Sequence, residues 1–332
     1  MAWEDVKAIL RPENAHMGVM QVDKEICTGC GLCIQNCPFK AWEMGEDDFP
    51  KLKDEYECFS CYNCMVACPV EAISIVKPYT VDDGYWATDS APLEARLPME
   101  PKNAEGQADQ WNAIERAVLE RRSVRNFKDD PVPEPLIRRV LEAGRFAPSA
   151  GNCQPWKFIV ITNRELIKKM DEMVWASTSM IYNMYKNDET VKNLTSMIEG
   201  GTSSGLFDPR LALGGMGSIV RKNMPASLNA PCVILMAGDE RAISGPELNI
   251  GIAGQNMNLV ANSLGIKACW VGFLAMAANS PEIAEKIGLK PPWRVITTLV
   301  MGWPKFKQEG IVPREYRPVT WIREGSEEAV ID

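Results

Sequence analysis

Apolar positions in the last two thirds of the chain recur at two periods. Ile114 and Val118 with their neighbours from Trp111 to Leu119, and Leu136, Ile137, Val140 and Leu141 within Pro133 to Ala147, lie at helical spacing. Leu248 to Leu264 predicts a third helix that stops at Gly265, and Ser280-Pro281-Glu282 opens a fourth that stops at Gly288. Between them Phe158–Ile161, Cys232–Met236 and Val295–Val300 are short apolar runs bounded by turn signals, the pattern of buried strands. Residues 111–332 therefore predict a packed α+β domain. Gly251, Ala253, Gly254 and Ala261 put small residues inside the third helix, which suggests close helix contact at the centre of the domain or of a dimer.

The first 110 residues lack this periodicity. Residues 1–17 form a leader, 18–80 a module with short strand-like pieces such as Ala72–Val76, and 81–110 a linker punctuated by Pro92, Pro98 and Pro101. Two domains follow, as the 332-residue length allows.

What the 18–80 module has in place of a periodic core is cysteine. Cys27, Cys30, Cys33 and Cys37 precede Pro38, and Cys58, Cys61, Cys64 and Cys68 precede Pro69, so C-x2-C-x2-C-x3-C-P is written twice, 31 positions apart. Each run wraps three thiolates around an iron-sulfur cube and sends the fourth to a neighbouring cube. By that logic Cys27, Cys30, Cys33 and Cys68 hold one [4Fe-4S] cluster, and Cys58, Cys61, Cys64 and Cys37 the other. Zinc sites and disulfide frameworks share the C-x2-C pair, but neither needs the C-x3-C-P tail or its duplication. The module resembles bacterial-type two-[4Fe-4S] ferredoxins.

Composition narrows the rest. The start of the chain has no basic head and no apolar stretch of a secretory signal, and no apolar run is long enough to span a membrane, so a cytoplasmic location is expected. A net charge of −8 argues against nucleic acid as a partner. Within 18–80, ten acids oppose five bases, which disfavours an equally acidic partner unless a basic patch intervenes. His16 is the only histidine, read as a solvated surface residue, so histidine-based acid-base chemistry is nearly excluded and a cofactor must supply the difficult step.

Two polar stretches suit such a cofactor. Arg121-Arg122-Ser123-Val124-Arg125 offers guanidinium forks and a hydroxyl for a phosphate and a ring edge, and Ala147-Pro148-Ser149-Ala150-Gly151-Asn152-Cys153-Gln154-Pro155-Trp156 is a turn that presents Ser and Asn donors. With Gly251–Met257, Leu264-Gly265-Ile266, Val271-Gly272-Phe273, Met301-Gly302-Trp303-Pro304 and Arg317-Pro318, the chain from about 113 to 325 resembles the nitroreductase family of FMN-dependent oxidoreductases. The resemblance implies an α+β homodimer with a central mixed or antiparallel sheet flanked by helices and FMN at the subunit interface. Carried over by position, it implies that Arg121, Arg122, Ser123 and Arg317 face the phosphate and ribityl chain, and that Arg125 faces the pyrimidine edge. It further implies Pro148, Ser149 and Asn152 from the other subunit, Val271 and Gly272 beside the reactive N5, and Lys222 as a further polar contact.

Residues 173–225 depart from a compact member of that family, and their Met and aromatic residues suit either a lid or plain core. Tyr182 and Tyr185 there are candidate proton donors. The two halves together imply electrons from a low-potential donor such as a soluble ferredoxin, passed through two clusters to FMN, which reduces a small organic acceptor: a nitro group, a quinone or an activated carbon-carbon double bond. The alternatives are an NAD(P)H-dependent flavin reductase with the clusters as outlet, and a non-enzymatic relay or redox sensor.

Overall fold

The 31-residue repeat of the cysteine runs becomes a repeat of backbone geometry in the computed structural model, which describes residues 15–82, 97–184, 189, 193, 210–314, 319–325 and 330–331. Left-handed backbone occurs at Gly29 and Ser60 (φ 66° and 51°), at Gly31 and Tyr62 (70° and 58°), and at Lys40 and Glu71 (50° and 56°), three pairs in register with the repeat. Gly31 and Tyr62 each start a single-turn helix, α1 (Leu32–Asn36) and α2 (Asn63–Ala67), and Cys37 and Cys68 end them with nearly equal φ of −76° and −78°. A left-handed side-chain-bearing residue costs about 1–2 kcal/mol. Such strain at Ser60 and Tyr62 persists where the surroundings over-determine the loop.

Short antiparallel pairs frame these loops: β1 (Ala15–His16) with β6 (Thr80–Val81), β2 (Val19–Val22) with β5 (Ile73–Lys77), and β3 (Trp42–Met44) with β4 (Pro50–Leu52). Ala15 and His16, within the expected 1–17 leader, thus pair with Val81 and Thr80. His16 is exposed and reaches Asp82 at 2.7 Å. Met20, Trp42, Tyr62, Ile73 and Ile75 pack with Cys33, Cys58 and Cys64 into one core, and Val312 from the far end of the chain joins them.

The second domain is a four-stranded antiparallel sheet in the order β7 (Trp156–Ile161), β8 (Cys232–Asp239), β10 (Trp293–Gly302), β9 (Lys267–Val271). All eight residues of β8 except Asp239 are buried, which explains its unbroken apolar run. The predicted helices appear as α3 (Ala113–Glu120), α4 (Glu134–Arg145), α7 (Pro246–Ser263) and α9 (Pro281–Lys286). Asn112 and Glu115 form a reciprocal capping box at the start of α3, and the Ser280 hydroxyl caps α9.

The part of the expected 173–225 insertion up to Met184 is the second half of α5 (Arg164–Met184), whose Val174, Thr178 and Tyr182 are buried. The helical spacing of Ile167, Met170, Val174, Thr178 and Tyr182 makes it core rather than lid. Beyond it the described chain resumes in a π-turn at Arg210–Met216, runs into α6 (Gly217–Val220), and α8 (Leu274–Ala278) follows β9. No helix among the described residues is long and apolar enough to cross a membrane.

Helix α7 lies so close to the sheet that a Cβ on Gly254 would stand 2.2 Å from the Trp270 ring and 3.0 Å from Met236 Sδ. Gly254→Ala is expected to destabilise the domain by about 1–3 kcal/mol through overpacking, read as a lower thermal midpoint.

Candidate functional site

Three of the first-run cysteines, Cys27, Cys30 and Cys33, are near enough for their charges to act on one another, and the same holds for Cys58, Cys61 and Cys64 together with Cys37. Cys37 thus joins the second run rather than its own. The repeat also holds at the fourth cysteines: the Ala41 amide donates to Cys37 Sγ at 3.3 Å and the Ala72 amide to Cys68 Sγ at 3.2 Å. Burial pushes the Cys33 thiol up to about 11, Cys58 to about 12 and Cys64 well above the usual thiol range. Buried thiols of this kind deprotonate when a metal replaces the proton. No three His, Cys, Asp or Glu side chains among the described residues converge as a single bound ion requires. Cys37 with Cys58, Cys61 and Cys64 makes a set of four thiolates, the donor set that an iron-sulfur cluster takes.

The cationic stretch lies on the outer edge of the sheet. Ser123 bridges Ala268 in parallel and the Val124 amide donates to the Ala268 carbonyl at 3.1 Å, so Arg121 to Arg125 runs beside β9 toward Val271 and Gly272. The Thr298 hydroxyl, fully buried on β10, donates to the Val271 carbonyl and fixes the strand end. Past it Gly272 opens outward, since a Cβ there would meet nothing within 4 Å.

Arg122 is 4% exposed; its Nη2 donates to the Gly310 carbonyl, while Nε and Nη1 have no partner. Burial, then the charges of Arg314 and Arg121, pull its pKa down to about 10. Lys267, half-buried and hydrogen-bonded to Asn262 Oδ1, also feels the Arg122 charge. An orphaned guanidinium among three more cations is what a bound phosphate satisfies, so these residues fit the phosphate end of a flavin nucleotide. Sequence reading missed Arg314 and Lys267; the only signal for Arg314 was a second arginine three positions before Arg317.

The turn carrying Pro148, Ser149 and Asn152 is on the opposite edge. It enters β7 with Asn152 and Gln154 in left-handed backbone, the Ser149 Oγ accepting from the Gln154 amide at 2.9 Å, and residues 151–154 exposed. Four strand spacings, about 19 Å, separate β7 from the Ser123 strand. The structure therefore gathers Arg121, Arg122, Ser123, Arg125, Val271 and Gly272 and leaves Pro148, Ser149 and Asn152 apart. Arg317 and Tyr185 lie outside the described residues.

Lys222 has partners in the cluster module. Its ammonium contacts Glu57 at 2.9 Å and donates to the Phe39 carbonyl, and Arg221 contacts Glu57 at 3.0 Å. Burial raises the Glu57 carboxyl, but the Lys222 and Arg221 contacts outweigh it and hold the group below its usual value. Tyr182 is buried near Arg221 and Glu57, and burial pushes its phenol up to about 12. It sits at the junction between the modules.

The tail of the domain ties the two halves together. Lys305 and Lys128 backbone amides pair with Asn126 and Trp303 carbonyls, Gln308 Nε2 reaches Asn36 Oδ1 at 2.6 Å, and the Glu309 amide donates to the Val66 carbonyl at 3.1 Å. The same strap supplies Gly310 to Arg122 and Val312 to the module core.

A family model described as the nitroreductase family matches residues 118–303, and one described as a 4Fe-4S dicluster domain matches 19–69. A candidate NADH dehydrogenase/NAD(P)H nitroreductase of Methanothermobacter thermautotrophicus is 28% identical over 203 residues, 60% of this chain and 81% of that one. A ferredoxin of Pyrobaculum islandicum is 40% identical over 53 residues, 16% of this chain and 49% of that one. Among solved structures, a nitroreductase with bound FMN from Desulfitobacterium hafniense aligns at a TM-score of 0.46 with 23% identity, over 62% of this chain and 96% of that one.

Proposed function

Because the chain belongs to the nitroreductase family and carries a 4Fe-4S dicluster domain ahead of it, we propose that it is an FMN-dependent oxidoreductase fed one electron at a time through its clusters. The reading is that a low-potential protein such as a soluble ferredoxin supplies the electrons and that a small organic acceptor receives them. The observation that carries it is the seat of the cluster module: Asn126, next to Arg125 on the cationic stretch, donates from Nδ2 to the Gln35 carbonyl of the cluster module at 3.2 Å. Cluster and flavin sites then share one wall.

Bound FMN would supply an acceptor of single electrons that delivers a hydride equivalent from N5. The chain's own part is to hold and orient it. Arg121, Arg122, Arg314 and Lys267 would bind the phosphate, with Ser123 beside them. Arg125 would set positive charge at the pyrimidine edge of the bound flavin, and Val271 and Gly272 would lie beside its reactive side, where Gly272 opens outward. Tyr182 is buried beside Arg221 and Glu57, away from the cationic strand, which leaves water or Tyr185 to supply the proton.

Pro148, Ser149 and Asn152 complete the site only in a homodimer, because their edge of the sheet is too far from Arg122 in one chain. Ile114 (75% exposed), Val118 (50%) and Leu248 (57%) offer apolar cover for a second copy. A dimer mass by light scattering checks this. A reducing cytoplasm suits the eight thiolates.

Anaerobic protein titrated with reduced ferredoxin and, separately, with NADH tests the electron source by flavin bleaching. Fast bleaching by ferredoxin that needs intact clusters is expected. Equal bleaching by NADH in protein stripped of clusters would favour the NAD(P)H reading, in which the clusters are an outlet.

A further inference from the structure

The two cysteine groups stand differently toward the flavin domain. Around Cys37, the Pro38 carbonyl accepts from Ser218 Oγ at 3.5 Å, the Phe39 carbonyl from Lys222, and Lys40 Nζ donates to the Lys222 carbonyl at 3.2 Å. Next to Cys58, Glu57 holds Lys222 and Arg221. Gly214 fits so tightly that a Cβ on it would lie 3.0 Å from the Phe39 ring and 3.3 Å from that of Phe59. Beyond Cys64, the Val66 carbonyl takes the Glu309 amide.

The loop of Cys27 and Cys30 is the reverse. Cys30 is exposed, Ile26 is 48% exposed, and the hydrogen bonds of residues 23–27 among the described residues stay inside the module: Cys27 amide to Asp23 carbonyl, Glu25 amide to Asp23 Oδ1, Lys24 to Asp47. Among the described residues no hydrogen bond or ion pair joins residues 23–30 to the flavin domain.

We infer that the cluster held by Cys37, Cys58, Cys61 and Cys64 is the flavin-side member of the pair, and that Glu57 and Lys222 are positioning residues that seat it and set its reduction potential. The cluster assigned to Cys27, Cys30, Cys33 and Cys68 is the outward member, where an external one-electron protein docks at the exposed Cys30 side. This rests on the proposed function for the direction of flow but on the geometry alone for the order. The donor would lose one electron per encounter, passed from outward to inner cluster to flavin, and two such electrons with one proton would balance the two-electron reduction that bound FMN supports.

The pair is suited to tuning because it is mostly covered, with side chains 16% and 15% exposed, and because cluster potentials follow nearby charge and solvent access. Lys222→Met removes a positive charge and leaves Glu57 behind, so it moves the inner cluster to a more negative potential. Glu57→Gln leaves the ammonium unopposed and moves it to a more positive one.

The test is a potentiometric titration of anaerobically purified holoprotein followed by electron paramagnetic resonance, with Cys30→Ser marking the outward cluster by its altered signal. Opposite shifts of Lys222→Met and Glu57→Gln on the unmarked cluster are expected, with the marked one unmoved and the double variant close to wild type. A latch of purely structural role would move both single variants the same way. That result, a shift confined to the marked cluster, or no shift at all overturns the inference. The titration needs no physiological donor or acceptor, so it can fail while ferredoxin still bleaches the flavin, and the reverse.

Discussion

Replacing Arg122 with methionine is expected to weaken FMN binding about 30- to 1000-fold while making the flavin-free protein more stable. Opposite signs follow from one fact. In the chain alone the guanidinium is buried with two nitrogens unpaired and with Arg121 and Arg314 beside it, a costly arrangement. A methionine of similar length removes the uncompensated charge, and the gain outweighs the lost bond to the Gly310 carbonyl, leaving the apoprotein about 1 kcal/mol more stable. With FMN bound, truncating one side of a buried, hydrogen-bonded charge pair costs about 2–4 kcal/mol, which sets the fold-change. Fluorescence titration of the stripped protein with FMN and a thermal melt without it read the two effects. A lower melting point in the apoprotein, or unchanged affinity, would remove Arg122 from the phosphate site.

Cys61→Ala is expected to halve the iron content, from about eight to about four per chain, and to abolish ferredoxin-driven bleaching of the flavin. Bound FMN and its reduction by dithionite should survive, because the cationic strand and β9 are held by their own backbone bonds, Val124 amide to Ala268 carbonyl and Lys128 amide to Trp303 carbonyl. Circular dichroism at wild-type intensity excludes unfolding as the cause. Ferredoxin-driven bleaching at the wild-type rate would mean that electrons reach the flavin by another path.

Much of this architecture was legible before any coordinate. The cysteine loops are local: ligand spacing, the proline after each fourth cysteine and the 31-position echo are all within reach of a short stretch, and the left-handed residues of the two loops recur at that same interval. Helices α3, α4, α7 and α9 announced themselves by period and by start and stop signals, and β7, β8 and β10 by short, largely apolar runs bounded by turn residues. Strand β9 did not, because Lys267-Ala-Cys-Trp-Val is short and opens on a lysine, and only its pairing with β10 makes it a strand. The second half of α5 was masked by its methionines and aromatics, which look alike in a lid and in a core until something is seen to pack on them.

The amino-acid sequence by itself determined the doubled cysteine run, the main helices and strands and the cationic stretch from Arg121 to Arg125, since each depends on neighbours a few positions apart. Only the tertiary structure decided which cysteine group meets the flavin domain, that Arg314 and Lys267 crowd Arg122, that Lys222 turns to Glu57, and that the Ser149 turn sits at the far edge of the sheet. Those facts join residues separated by tens to hundreds of positions, and chain connectivity leaves such distances undetermined until packing of the buried strands brings their ends to fixed places.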